Sequence, residues 1–288
     1  IKNSGEFPDA ENLTLEWVGT IPGKRESRRF EGHYMIKQQD LVLQSQFDDP
    51  VSFGGWAVDL HPSDGVYDSK PGCTQYHSKG VYQIPMSTMI SKNINNLFLG
   101  GRLISATHVA FGSTRVMATT ALSGQAVGYG AAQCIKNKIK PAQLLEQNQI
   151  KELQQTLSLN GQSIPGIAIN QAQNLVSSSK ISTSSIFKLD SLTGNGDWFN
   201  LGTGVAQLLP LEANTKYNYT FSFSAKEATK VQVDFRTSER LGSYTPDAIL
   251  ESKTIELQAG EQEINFSFDT QLTEKQYVFI TFLPNELV

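Results

Sequence analysis

The stretch "NLFLGGRLISATHVAFGSTRVMATTALSGQAVGYGAA", residues 96–132, decides how the rest of the chain is read. Leu97, Phe98 and Leu99 predict a short buried strand, and Gly100-Gly101 after it let the backbone approach another group closely. A polar loop carrying His108 and Arg115 follows. From about Ser113 to Ala132 nearly every residue is small, which predicts a helix that a neighbour can pack against at short range. A strand, a glycine turn and a helix N-terminus are the parts from which anion cradles are made, because first-turn N–H groups lack intrahelical acceptors and carry the positive end of the dipole. The residues alone suit such a cradle and an ordinary strand–loop–helix equally well. "GYGAAQ" at Gly128 is no dinucleotide fingerprint: it sits late in the helix and lacks the third glycine.

The last third has another rhythm. "TKYNYTFSFSA" sets Tyr217, Tyr219, Phe221 and Phe223 against polar neighbours, and "TKVQVDFR" does the same with Val231, Val233 and Phe235. "SKTIELQ", "QEINFSFD" and "QYVFITFL" continue the period of two, with turn residues between them. Such a series predicts an antiparallel sandwich or jelly roll over residues 178–288. Upstream, Pro141 opens a helix whose apolar stripe is Leu144, Leu145, Ile150, Leu153 and Leu157, closed by Asn160-Gly161 and Pro165-Gly166. Residues 141–177 therefore read as a helical connector and linker. Residues 1–140 mix short strands with long loops, and "DDPVSFGGWAVDLHPSDGVYDSKPGCTQYHSKG" is long enough to be either a functional loop or a misread set of elements. The fold class is α+β.

Composition excludes several functions. A net charge of −4 over 288 residues gives no electrostatic footprint for nucleic acid. No apolar run is long enough to span a membrane. Cys73 and Cys134 read as two unpaired thiols, and the scattered His33, His61, His77 and His108 argue against a preformed metal site. The Asn-x-Ser/Thr matches at Asn12, Asn218 and Asn265 carry no weight.

Residues 95–132 resemble the C-terminal flavin-contacting segment of the bacterial FAD-dependent oxidoreductase family, some members of which are labelled xanthan-lyase-like. "GKRESRRFEGHYMIKQQDL" (residues 23–41), "GGWAVDLHPSDGVYD" (54–68) and "YQIPMSTMI" (82–90) resemble the same family in the same order. The resemblance implies residues 1–140 as the C-terminal part of a two-dinucleotide-fold FAD and substrate domain, with the sandwich appended. It also implies an N-terminal remainder carrying the G-x-G-x-x-G element, which this sequence lacks. The chain, opening on Ile1, is expected to be the later part of a longer enzyme, inactive alone and periplasmic or secreted.

By the same resemblance FAD is the cofactor and Gly100, Gly101, Arg102, Gly112, Ser113, Thr114, Arg115, Val116 and Met117 are its contacts. Gly101-Arg102 would lie along the ribityl and pyrophosphate. Backbone N–H groups of residues 115–117 would face the pyrimidine edge of the ring, at a helix starting near Gly112. His108 and Arg115 are expected at the substrate, a small molecule or saccharide, as acid–base and anion-clamping groups. Arg28 or Arg29, from the cluster Arg25, Glu26, Arg28 and Arg29, is expected at flavin or substrate. Asp59 and His61 read as a polar pair ordering their loop. Trp56, Tyr82 and Pro85 read as packing, as do Tyr244 and Trp198 in the sandwich, although exposed aromatics there would stack on sugar rings. The alternative function is thus a polysaccharide-associated protein, carbohydrate-binding or lyase-related, whose sandwich binds glycan.

Overall fold

The computed structural model describes residues 2–21, 26, 28–170, 172, 174–185, 196–239 and 245–288. It is a mixed α+β chain with two separate apolar cores, the second wholly β.

Around the first core run helix α1 (Gln38–Val42), strands β1 (Pro50–Gly54), β2 (Val58–Leu60), β3 (Thr74–Tyr76) and β4 (Tyr82–Pro85), then helices α2 (His108–Thr114), α3 (Met117–Asn137) and α4 (Gln147–Leu159). β1 pairs with β4 and β2 with β3, both antiparallel. The long glycine- and aspartate-rich stretch thus holds three short strands and is no uninterrupted loop. Leu97–Leu99, expected as a strand, is an extended run with one bridge, Phe98 to Ile90, and only Leu99 is buried.

The small residues of α3 do what their size permits. Thr119, Ser123, Ala126, Gly130 and Cys134 recur at helical spacing on its buried face. A Cβ on Gly130 would stand 3.0 Å from the Met86 methyl and 3.2 Å from Leu144, so the glycine lets the core close over it. Ser123 Oγ meets Ser52 Oγ of β1 at 3.1 Å. The 3-10 turn Pro141–Leu145 and α4 complete this core with Leu144, Ile150, Leu153 and Leu157, and Gln154 Nε2 donates to the Pro50 carbonyl at 3.0 Å. The helix read as a connector is therefore a wall of the first core. Gly161 and Gly166, at φ +86° and +80°, turn the chain out of it.

The second core lies between two antiparallel sheets. Strands β5 (Val205–Leu211), β6 (Tyr219–Ala225), β7 (Thr229–Thr237), β8 (Ala248–Leu257), β9 (Gly260–Phe266) and β10 (Gln276–Phe282) arrange as β5-β10-β7-β8 facing β6-β9. The alternating residues point inward as expected: Tyr219 and Phe223 meet Val231, Val233 and Phe235, and the Phe221 and Phe282 rings meet edge-on at 4.7 Å. β5 was not expected. Its pattern does not alternate and Pro210 lies inside it, which an edge strand tolerates. Trp198 is 56 % exposed, so it is not a core residue, and Trp56 at 52 % does not pack either. Tyr244 and Arg25 lie outside the described residues. The halves touch where Lys79 Nζ meets Asp247 Oδ2 at 3.2 Å and Thr245 Oγ1 donates to the Lys79 carbonyl. Cys73 is an exposed and Cys134 a buried free thiol. Among the described residues no helix is long and apolar enough to cross a membrane.

Candidate functional site

Two features built from residues 96–132 converge near one break in the helical run. Thr107 Oγ1 caps α2 by accepting from the Ala110 N–H, and the Thr107 N–H donates to the Ile36 carbonyl at 2.9 Å. α2 then lies directly on β2: a Cβ on Gly112 would stand 2.9 Å from the Asp59 carbonyl oxygen. Ser113 faces the interior, where its hydroxyl donates to the Trp56 carbonyl at 2.6 Å and meets the Tyr82 hydroxyl, also at 2.6 Å. Burial pushes the Tyr82 phenol well above its ordinary range despite that bond. α2 ends at Arg115, whose N–H donates to the Phe111 carbonyl.

That geometry places two ion-paired groups around an open pocket of about 360 Å³, lined by Glu26, Asp59, Leu60, His61, His108, Phe111, Gly112 and Arg115. On one side His108 Nδ1 stands 2.8 Å from Glu26 Oε2, and Glu26 Oε1 accepts from Arg29 Nε at 2.7 Å. On the other, Arg115 Nη2 donates to Asp59 Oδ2 at 3.2 Å and to the Asp59 carbonyl at 3.1 Å. His61 Nε2 stands 3.3 Å from the same carboxylate oxygen, while His61 Nδ1 meets the Gly72 carbonyl at 2.9 Å. Asp59 Oδ1 is buried without a hydrogen-bond partner among the described residues. Leu60 also borders a second, more apolar open pocket, lined in part by Leu41, Val58, Tyr76, His77 and Val109.

The second feature starts beyond the break. α3 begins at Met117, with Val116 as an N-cap that gives no side-chain hydrogen bond. The first-turn N–H groups of residues 117–119 lack intrahelical acceptors at the positive end of a 21-residue helix; Met117 there is 89 % exposed and Thr119 buried. Against α3 packs the 3-10 turn Gly101–Leu103. Gly101 has φ +59°, and a Cβ on Gly100 or Gly101 would meet nothing within 4 Å. The turn is open at its glycines and packs against α3, whose start has no side-chain cap, and such groups suit an anionic or hydrogen-bond-accepting edge such as that of a flavin.

His108 and Arg115 thus come together with Asp59 and His61, while exposed Arg28 and Arg29 are not among the residues lining the pocket and Arg29 reaches it only through Glu26. Gly100, Gly101, Arg102, Val116 and Met117 sit at the turn and the α3 start. Gly112, Ser113 and Thr114 do not: they are buried inside α2, and the helix does not start there. The Arg115 N–H is already used by the last turn of α2, leaving only the side chain of Arg115 for the pocket. Glu26 was missed as a site residue; its one signal was an acid set among three arginines.

The model of the family described as FAD dependent oxidoreductase matches residues 4–157, more than half of the chain. No curated protein and no solved structure matches it. The matched residues hold every group of both features just described, and membership implies FAD binding. The chain belongs to the FAD dependent oxidoreductase family.

Proposed function

We propose that this chain supplies the ribityl and ring side of an FAD site together with the adjoining substrate pocket of an oxidoreductase. Gly100, Gly101 and Arg102 would run along the ribityl chain, and the N–H groups at the start of α3 would face the pyrimidine edge. FAD, when bound, supplies the two-electron acceptor. The protein's own share is orientation and charge. The α3 dipole favours negative charge at its N-terminus, Arg115 and His61 hold Asp59 in place, and His108 opens onto the pocket. The observations that carry this reading are the α3 start without a side-chain cap and the open, left-handed Gly101 in the turn that packs against α3.

Titrating FAD with the protein tests it. Saturable quenching of flavin fluorescence is expected, with Gly101→Val weakening binding at least about tenfold, since a branched side chain suits neither that backbone nor a close ligand. Equal binding by wild type and Gly101→Val would sink the assignment of the turn.

A second reading concerns the sandwich. Trp198 and Phe199 are 56 % and 78 % exposed, and they border a groove of about 1040 Å³ that also includes Gln207, Ser222 and Ser224. Aromatic faces next to hydrogen-bonding side chains suit a sugar ring, which supports a glycan-binding role. Binding on a glycan array that disappears in Trp198→Ala supports it; an array with no Trp198-dependent signal removes it.

A further inference from the structure

We infer that Glu26 and His108 form a proton-accepting pair for a hydroxyl-bearing substrate, with His108 Nε2 as the accepting atom and Glu26 as its positioning residue. The inference rests on the pocket being the substrate side of the site proposed above.

A carboxylate oxygen only accepts. The 2.8 Å contact between Glu26 Oε2 and His108 Nδ1 therefore places the ring proton on Nδ1, and a neutral ring then keeps its lone pair on Nε2. Glu26 is itself held, because Arg29 donates to its other oxygen. The His108 side chain lines the pocket and is 55 % exposed, so its free nitrogen is open to a ligand. Asp59, His61 and Arg115 line the same pocket. Arg115 and His61 both meet Asp59 Oδ2, and Asp59 Oδ1 is buried away from solvent. Among the described residues His108 Nε2 has no protein partner, so it is the base that the pocket offers.

The chemistry balances as an alcohol oxidation. The substrate O–H bond breaks and its proton passes to His108 Nε2. The freed electron pair becomes the second C–O bond as the carbinol C–H bond breaks. FAD, when bound, would supply the two-electron acceptor for the hydride that this C–H bond releases. The substrate leaves as a carbonyl compound, and His108 leaves the step as an imidazolium paired with Glu26.

Two measurements on the full chain test the pair, and neither needs flavin. Nitrogen-15 spectra of histidine-labelled protein, with His108 assigned by His108→Gln, should show its neutral ring as the Nδ1–H tautomer. Glu26→Ala should return it to the Nε2–H form that free imidazole side chains favour, while Glu26→Gln, which still accepts from Nδ1, keeps the wild-type tautomer. 4-Nitrophenol serves as the hydroxyl probe. Just below its solution pKa it should bind with the yellow phenolate band, which His108→Gln abolishes and Glu26→Ala largely removes. A wild-type Nε2–H tautomer, or nitrophenol bound only as the neutral phenol or not at all, overturns the inference. If FAD fails to bind while both signatures appear, the pair stands and the flavin assignment falls; the reverse result separates them the other way.

Discussion

The backbone of Gly112 lies against the backbone of Asp59 so closely that a Cβ at 112 would stand 2.9 Å from the Asp59 carbonyl oxygen and 3.3 Å from its amide nitrogen. Helix α2 and strand β2 are therefore set by backbone contact, and the Asp59 carboxylate is placed relative to Arg115 by that seat. Gly112→Ala must move one of two backbones, where no flexible side chain can yield. A loss of about 1–3 kcal/mol in urea unfolding is expected. An alanine variant as stable as wild type would show that the seat is soft.

Arg115 and Asp59 should act as a unit. Each is mostly buried, at 13 % and 17 % exposure, and Asp59 Oδ1 already lacks a partner. Removing the guanidinium in Arg115→Met leaves the carboxylate nearly unsupported, at an expected cost of about 1–3 kcal/mol. Asp59→Asn in the same background should recover part of that loss, because the uncompensated charge goes with it. Additive costs in a double-mutant cycle would mean that the two residues are independent.

Leu153 is fully buried on α4 and belongs to the core that α3 and β1 share. Leu153→Ala should cost about 2–5 kcal/mol in chemical denaturation of the first half. A chain ending near residue 140 should lack cooperative unfolding, whereas one ending near residue 170 should keep it. Cooperative unfolding of the shorter piece would mean that α4 is a true connector.

Asp234 ties the sandwich to pH. It is fully buried, and burial alone would raise its pKa. Hydrogen bonds from Gln232, Arg236 and Ser252, with the Arg236 charge, outweigh burial and hold the carboxyl below its ordinary 3.8. A depressed folded-state pKa means that stability is present above about pH 4 and drains away as pH falls through the folded value. Wild-type thermal midpoints should therefore decline steeply below pH 4. Asp234→Asn should start lower at neutral pH and decline less. Parallel acid profiles for the two proteins would exclude Asp234 as the cause.

The sandwich was the most legible part of the chain. β6 and β7 carry one apolar residue in every two, and β8 and β9 do so at their ends with Ile255 and Leu257 and with Ile264 and Phe266, as a strand with one buried face is written. β5 was hidden because its identity comes from its partner: Val205–Leu211 pairs along the whole of β10, and at a sheet edge neither alternation nor the absence of proline is required. In the first half the small-residue helix was legible, but its start was not. Thr107, Ser113 and Thr114 are all residue types that cap helices, and only the fold shows that Thr107 does so while the other two are buried. Glu26 and His108 are separated by 82 positions, and a contact between a distant residue and the first residue of α2 leaves no periodic trace. The family resemblance pointed to His108 and Arg115; the partner of each side chain came from packing.

The interruption at Arg115–Val116 deserves a different description from a kink between helices. It acts as a divider along the chain. Upstream, the last turn of α2 consumes the backbone and sends a side chain to Asp59; downstream, α3 begins with its backbone unspent and its side chain turned to solvent. Adjacent residues thus serve two neighbours through different parts of the peptide. On the proposed reading, substitution at position 115 would reshape the pocket while leaving untouched the dipole two residues later, so that selectivity and cofactor affinity would be free to evolve separately.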